Sequence, residues 1–249
     1  MIRNTLSHTK EATYAVLIPH PAYKGFPTPN GTGFFINQNG YFITARHVVT
    51  YESGGNRVSY DIANVRLTKP ELFPSPHIMG LQLVKEWPEF DLALLKADFN
   101  KVKNQEVFKG QNGFSFLDIE FSVIPEGTEV YSFGYPLPEY QVIEKEGLMM
   151  GFHSFCPRTT SAIISSHYDV IGPNFSPSFP KNYVIDKALN YGNSGGPLVI
   201  QESGKVISVC TRFQPVKIPQ SPNVAMKIPS LYGITSSLKN IEDYLGKII

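Results

Sequence analysis

Asn190-Tyr191-Gly192-Asn193-Ser194-Gly195-Gly196-Pro197 runs directly into the apolar segment Leu198-Val199-Ile200. Glycines on both sides of Ser194 let the chain turn tightly and leave the hydroxyl exposed, and Gly192 lets backbone approach a bound group closely. The amides of Gly192 and Ser194 then point at one spot, as an oxyanion hole requires. A serine hydroxyl is a weak nucleophile without a base. The six histidines are His8, His20, His47, His77, His153 and His167. Only His47 follows an expected strand (Tyr41–Thr44), in Thr44-Ala45-Arg46-His47-Val48-Val49, and a strand end holds an imidazole rigidly. The other five read as surface or structural residues. A base needs a carboxylate to fix its tautomer and stabilise the imidazolium. Asp91 opens the apolar run Asp91-Leu92-Ala93-Leu94-Leu95, where a charge is costly unless paired. Asp61, Asp98 and Asp186 compete on the same ground, and the residues alone leave that choice open.

Outward from this core, the strand signal dominates. Short runs rich in Val, Ile, Tyr and Phe recur between turn signals: Thr13–Ile18, Gly33–Ile36, Tyr41–Thr44, Arg57–Tyr60, Leu81–Lys85, Leu92–Leu95, Glu129–Phe133, Ser161–Ser165, Tyr183–Ile185, Pro197–Ile200, Val206–Thr211 and Val224–Ile228. Asn39-Gly40 is a hairpin signal and Glu202-Ser203-Gly204-Lys205 a second one. The expected class is all-β. Pro229, Leu231, Ile234, Leu238, Ile241, Leu245 and Ile248 follow at three- and four-residue spacing, which predicts an amphipathic helix over 229–249 packed on the last sheet. The strand-poor stretch Asn100–Glu126 suggests a seam between two sub-domains, 12–110 and 111–228, within one domain over 1–249. Pro70–Met79 and His167–Lys181 read as Pro-rich surface loops.

Composition excludes several functions. The 249 residues are long enough to bury a core without metals or disulfides. Lys plus Arg is 22 and Asp plus Glu 21, so no whole-protein field attracts nucleic acid or acidic membranes. No nucleic-acid or membrane partner is expected. Cys156 and Cys210 lack zinc-site spacing and read as buried thiols. No metal site, phosphate-binding loop or cofactor is implied. The first twenty residues carry no continuous apolar leader, so a cytoplasmic location is expected.

The order His47, Asp91, Ser194 resembles that of the chymotrypsin-fold (trypsin-like) serine peptidases. Thr-Ala-Arg-His-Val, Asp-Leu-Ala-Leu-Leu and Gly-Asn-Ser-Gly-Gly-Pro match that family over about residues 12–230. Asn193 before the serine, and the run Asp186–Asn190, look most like the bacterial HtrA-type branch, as does Asn223–Ser230. Digestive and clotting relatives carry Asp at the Asn193 position, pairing it with a new N-terminus. No PDZ domain is expected, and Val48 stands where secreted relatives have a disulfide cysteine, which agrees with a reducing compartment. The resemblance implies two six-stranded antiparallel barrels with a C-terminal helix and a serine endopeptidase acting on polypeptides. Ser194 would be nucleophile, His47 base and Asp91 its orienting carboxylate, with Gly192, Asn193 and Ser194 at the oxyanion hole. Thr211 aligns with a residue whose hydroxyl supports that Asp.

The resemblance places Ala188, Thr211, Arg212 and Phe213 at the specificity pocket, with Ala225 and Met226 nearby. Ala188 stands where trypsin carries Asp, so a small or medium apolar side chain is expected there. Arg212 offers an acidic preference as the alternative. Two rival readings keep the fold: a silent or partner-activated binding protein, and an esterase. An activating protein partner that orders the Gly192 loop is expected to act in place of a sensor domain.

Overall fold

The structure is a computed structural model and describes residues 2–19, 27–72, 74–145, 148–167, 182–221 and 224–249. The helix α1 (Ile2–Ala12) opens the chain. The first lobe contains β1 (Thr13–Pro19), β2 (Pro27–Phe35), β3 (Tyr41–Ala45), β4 (Thr50–Ser53), β5 (Asn56–Ser59), β6 (Arg66–Thr68), β7 (His77–Ile78), β8 (Gln82–Trp87) and β9 (Leu92–Lys96). The second contains β10 (Glu129–Gly134), β11 (Glu139–Lys145), β12 (Leu148–Ser154), β13 (Arg158–His167), β14 (Asn182–Ile185), β15 (Pro197–Ile200), β16 (Val206–Ser221) and β17 (Val224–Ser237). The short helix α2 (Glu242–Leu245) ends it.

The all-β, two-lobed architecture agrees with the sequence. The second lobe closes as a six-stranded barrel in the order β10-β13-β14-β17-β16-β15. The first is a seven-stranded sheet, β7-β6-β1-β2-β3-β9-β8, which curls without closing, so β7 and β8 remain as edges. The Asn39-Gly40 turn joins β2 to β3, pairing Phe35 with Phe42 and Gly33 with Thr44. Continuous apolar strands fill the first core: Phe34, Phe35, Phe42, Ile43, Leu92, Leu94 and Leu95 are buried. Phe114 and Leu117, beyond the strand-poor stretch's midpoint, still pack in this core, and the Leu117 amide donates to Phe35 at 2.9 Å.

Three expectations need correction. The C-terminal helix begins later than its apolar spacing suggested. Gly233–Ser236 pair with β14, and β17 also pairs with β16, so their backbone groups close the barrel and are satisfied as strand. Leu231, placed on the helix's apolar stripe, is 78% exposed. Ser237 accepts from the Lys239 amide and starts a 3-10 turn, Leu238–Ile241, that leads into α2. This terminal piece crosses back to the first lobe: Leu238, Ile241 and Leu245 join its core, and Tyr244 meets Trp87 edge-on at 5.3 Å. Second, Cys156 is exposed; only Cys210 is a buried thiol, and burial pushes it up to about 12. Third, helix α1 was not anticipated. Within the proline-rich loop of 70–79, His77–Ile78 pair with β6. Most of the other one, 168–181, lies outside the described residues.

Candidate active site

His47 and Asp91 are brought together by register. Strands β3 and β9 are antiparallel neighbours, with Ala45 opposite Leu92. One residue beyond this pair on each side, the Arg46 amide donates to the Asp91 carbonyl at 2.8 Å. The chain then turns through Arg46–Val48, pinned by the fully buried Val48 and Val49. Asp91 has φ of +54°, a left-handed conformation that Asp tolerates better than most residues. This turn aims its carboxylate back at the histidine. Oδ1 accepts the His47 amide at 3.0 Å, and Oδ2 lies 2.7 Å from His47 Nδ1. Both oxygens of Asp91 therefore hold one residue, leaving Nε2 directed away from the carboxylate. Arg46 and Ser59 meet Glu86, at 3.0 Å and 2.8 Å, and tie the histidine turn to β8 and β5.

Ser194 reaches the same place from the other lobe. Its carbonyl accepts the Thr32 amide of β2 at 2.8 Å. Gly31 fits between the two halves: a Cβ there would sit 2.7 Å from the Ser194 carbonyl and 2.6 Å from Val48. The next residue, Gly195, has φ of +87°, and a Cβ would lie 1.9 Å from the Thr32 carbonyl. Only glycine permits both that conformation and that approach. Its amide donates to Cys210 at 2.7 Å, and the Cys210 amide returns to Gly196 at 2.8 Å.

The loop's peptide groups are individually fixed. The Leu137 amide donates to the Tyr191 carbonyl at 2.7 Å. In a trans peptide the N–H opposes the carbonyl, so the Gly192 N–H faces away from Leu137. The Gly192 carbonyl accepts from Thr32 Oγ1 at 2.7 Å, and that same oxygen accepts the Tyr135 amide at 3.2 Å. Among the described residues, the Gly192 and Ser194 amides have no partner within the chain. The Asn193 amide is engaged, donating to Asn190 at 3.0 Å, which removes Asn193 from the expected set of oxyanion donors.

Other expected residues are distributed unevenly. Ser194 Oγ donates to the Thr211 carbonyl at 3.2 Å and makes no hydrogen bond to His47. The Thr211 hydroxyl does not support Asp91. A register shift between Cys210 and Arg212 turns it toward β17, where it donates to Ile234 at 3.0 Å. Ala188 is half-buried, and Arg212 and Phe213 are exposed. Gly233, which sequence reasoning missed, pairs with both Phe213 and Ile185. A Cβ at Gly233 would lie 2.8 Å from the Lys187 carbonyl, so this glycine joins the Ala188 segment to the Arg212–Phe213 wall. The side chains of Ala225 and Met226 lie outside the described residues, as does Asn223. Thr32 and Asn30 were also missed, because an isolated Thr or Asn in a strand carries no sequence signal of its own. Among the described residues no cluster of three or more His, Cys, Asp or Glu side chains is placed to hold a metal ion. No helix of the described residues is long and apolar enough to cross a membrane.

The trypsin-like peptidase domain family matches residues 31–209. The chain belongs to this family. Relatives of known sequence agree. A DegP-like protein of Brucella suis biovar 1 (strain 1330), named a probable periplasmic serine endoprotease, is 29% identical over 230 residues, covering 92% of this chain and 35% of the relative. A DegP-like protein of Bartonella henselae with the same name is 27% identical over 186 residues, 74% of this chain and 28% of the relative. The chain thus spans about a third of the length of the curated relatives it matches. The HtrA-type protease AlgW solved with a tripeptide has a TM-score of 0.63 at 20% identity, covering 100% of this chain and 64% of that one. AlgW with a decapeptide gives 0.61 at 19%, covering 100% and 67%. The HtrA-type fold resemblance holds. The expected cytoplasmic location does not: the trypsin-like relatives are named periplasmic. That expectation rested on the first twenty residues and on Val48 standing in place of a disulfide cysteine.

Proposed function

We propose that this trypsin-like domain is a serine endopeptidase that cleaves polypeptides through an acyl-enzyme. The observation that carries the reading is the His47–Asp91 pair at 2.7 Å, held across β2 from the Ser194 loop. In the proposed cycle the Ser194 hydroxyl rotates from the Thr211 carbonyl toward His47 Nε2. Such a change between staggered rotamers needs no backbone motion. Nε2 takes the proton as Oγ attacks the scissile carbonyl. Asp91 holds the imidazole with Nδ1 protonated and stabilises the imidazolium. The Gly192 and Ser194 amides, which have no partner among the described residues, receive the developing oxyanion. His47 then protonates the leaving amine, and water repeats the sequence on the ester to release the acid and restore Ser194.

Ala188, half-buried and uncharged in the pocket segment, supports a preference for a small or medium apolar side chain before the scissile bond. Arg212, exposed at the rim, reads as a solvated charge. A second reading is partner-dependent activation, favoured by one observation: the resting Ser194 hydroxyl is bonded to Thr211 and not to His47. Hydrolysis of unfolded casein by the purified chain separates the two. The proposal expects cleavage that Ser194→Ala abolishes. Cleavage that persists in Ser194→Ala would overturn it, and a folded but inert wild type would favour the partner.

A further inference from the structure

Tyr191 directly precedes Gly192, and its carbonyl and its phenol are fixed at opposite ends. Its carbonyl accepts from Leu137, as described above, and its phenol donates to Asn30 Oδ1 at 3.1 Å. The amide nitrogen of Asn30 in turn donates to the Val48 carbonyl at 2.7 Å, and Val48 directly follows His47. Asn30 lies on β2, between the histidine turn and the serine loop. A backbone carbonyl only accepts, so the Asn30 side chain has its NH2 on Val48 and its oxygen free for the phenol. Aspartate cannot donate to Val48, and an apolar residue can do neither job. Tyr191 is 62% exposed, so core packing does not explain its place.

We propose that Tyr191 and Asn30 are positioning residues: a hydrogen-bonded tether that fixes the Gly192 amide relative to His47 across the cleft. This rests on the serine-peptidase reading. An oxyanion donor is effective only when it is already aimed at the developing charge, so a tether at the adjacent residue acts on the transition state. It leaves ground-state peptide binding alone. The tether also spans the two lobes, because its ends belong to the second lobe's loop and the first lobe's turn.

The test is Tyr191→Phe, which removes one oxygen. Losing one neutral hydrogen bond corresponds to a factor of about five. We expect kcat/KM on a peptide substrate, and the rate of labelling by a fluorophosphonate, to fall by about that factor. Affinity for a peptide boronic acid, which captures the oxyanion geometry, should fall in step. Peptide affinity measured in the Ser194→Ala background should not change on adding Tyr191→Phe. Asn30→Ala should match Tyr191→Phe, and the double variant should fall no further than the larger single one, because one chain of bonds is broken once. Thermal melting of Tyr191→Phe should coincide with wild type, as for an exposed site. Unchanged rates in Tyr191→Phe would overturn the tether, as would multiplying losses in the double variant. Weakened peptide affinity by the same factor would make Tyr191 a substrate contact and also overturn it. A folded wild type that neither labels nor cleaves overturns the reading of a peptidase active on its own, in favour of the partner-dependent one, and overturns the tether with it.

Discussion

Thr32→Val isolates the support beneath the Gly192 loop. Valine replaces the hydroxyl with a methyl of similar size, so the fully buried side chain keeps its volume. The Gly192 carbonyl loses its 2.7 Å donor, and the Tyr135 amide loses its 3.2 Å acceptor. A buried polar group left without a partner costs about 1–3 kcal/mol. Two such groups give a loss of about 3 kcal/mol, near the lower half of the summed range. For a chain of this length that lowers the melting temperature by about 6 °C. Turnover should fall as well, because the Gly192 carbonyl no longer fixes the loop. We expect a loss of about 10- to 100-fold in kcat/KM, less than the roughly 100- to 1000-fold for deleting an oxyanion donor outright. Thr32→Ser provides the contrast. It keeps both hydrogen bonds and removes one methyl, worth about 1 kcal/mol, so it should remain nearly as active as wild type. Urea or thermal unfolding gives the first quantity and hydrolysis of a fluorogenic peptide the second. A Thr32→Val protein as stable and active as wild type would refute the reasoning, and so would a serine variant that falls below the valine one.

Asp91→Asn should keep the fold, since Asn also tolerates the left-handed conformation, and should lower kcat by about 10⁴-fold through loss of the histidine tautomer; steady-state kinetics beside a circular dichroism spectrum checks this. Lys69 gives a pH prediction. Its ammonium is buried and donates to the Lys10 and Glu11 carbonyls at the end of α1, both at 2.5 Å. Burial pulls Lys69 down to about 8 from 10.5. Above pH 8 the unfolded chain therefore binds the extra proton, and this residue's contribution raises stability with pH by up to about 3 kcal/mol toward pH 10.5. Cys210, pushed up to about 12 by burial, acts in the opposite direction once the unfolded thiol ionises near 9. Comparing wild type with Lys69→Met by urea unfolding at pH 7.5 and 9.5 isolates the lysine: the difference between them should change by about 2 kcal/mol over that interval, and a constant difference would refute it.

The parts of the fold carried by local pattern were readable in the sequence. Strands β3, β9 and β15 are short apolar runs bounded by turn residues, as is the Asn39-Gly40 hairpin, and His47, Asp91 and Ser194 lie within three positions of a strand end. His47 follows from this, whereas Asp91 was separated from Asp61, Asp98 and Asp186 only by the family resemblance; antiparallel register between β3 and β9 sets their meeting. The parts decided by distant partners were not readable. Helix α1 has few apolar residues and is placed by Thr9 on Tyr131 at 2.9 Å and by Lys69 on its last carbonyls. Ile234 fits a helical stripe and a strand equally well, and only pairing with β14 and β16 decides. The Thr211 hydroxyl is redirected by a bulge that no residue type announces. Thr32 looks like any strand threonine until the loop folds over it.

The measurement closest to the central claim is labelling of the purified chain by a fluorophosphonate, with the modified residue located by mass spectrometry. The account predicts a single adduct on Ser194, absent in Ser194→Ala and lost with its base in His47→Ala. A folded wild type whose adduct forms on another residue, or forms equally in His47→Ala, would contradict it.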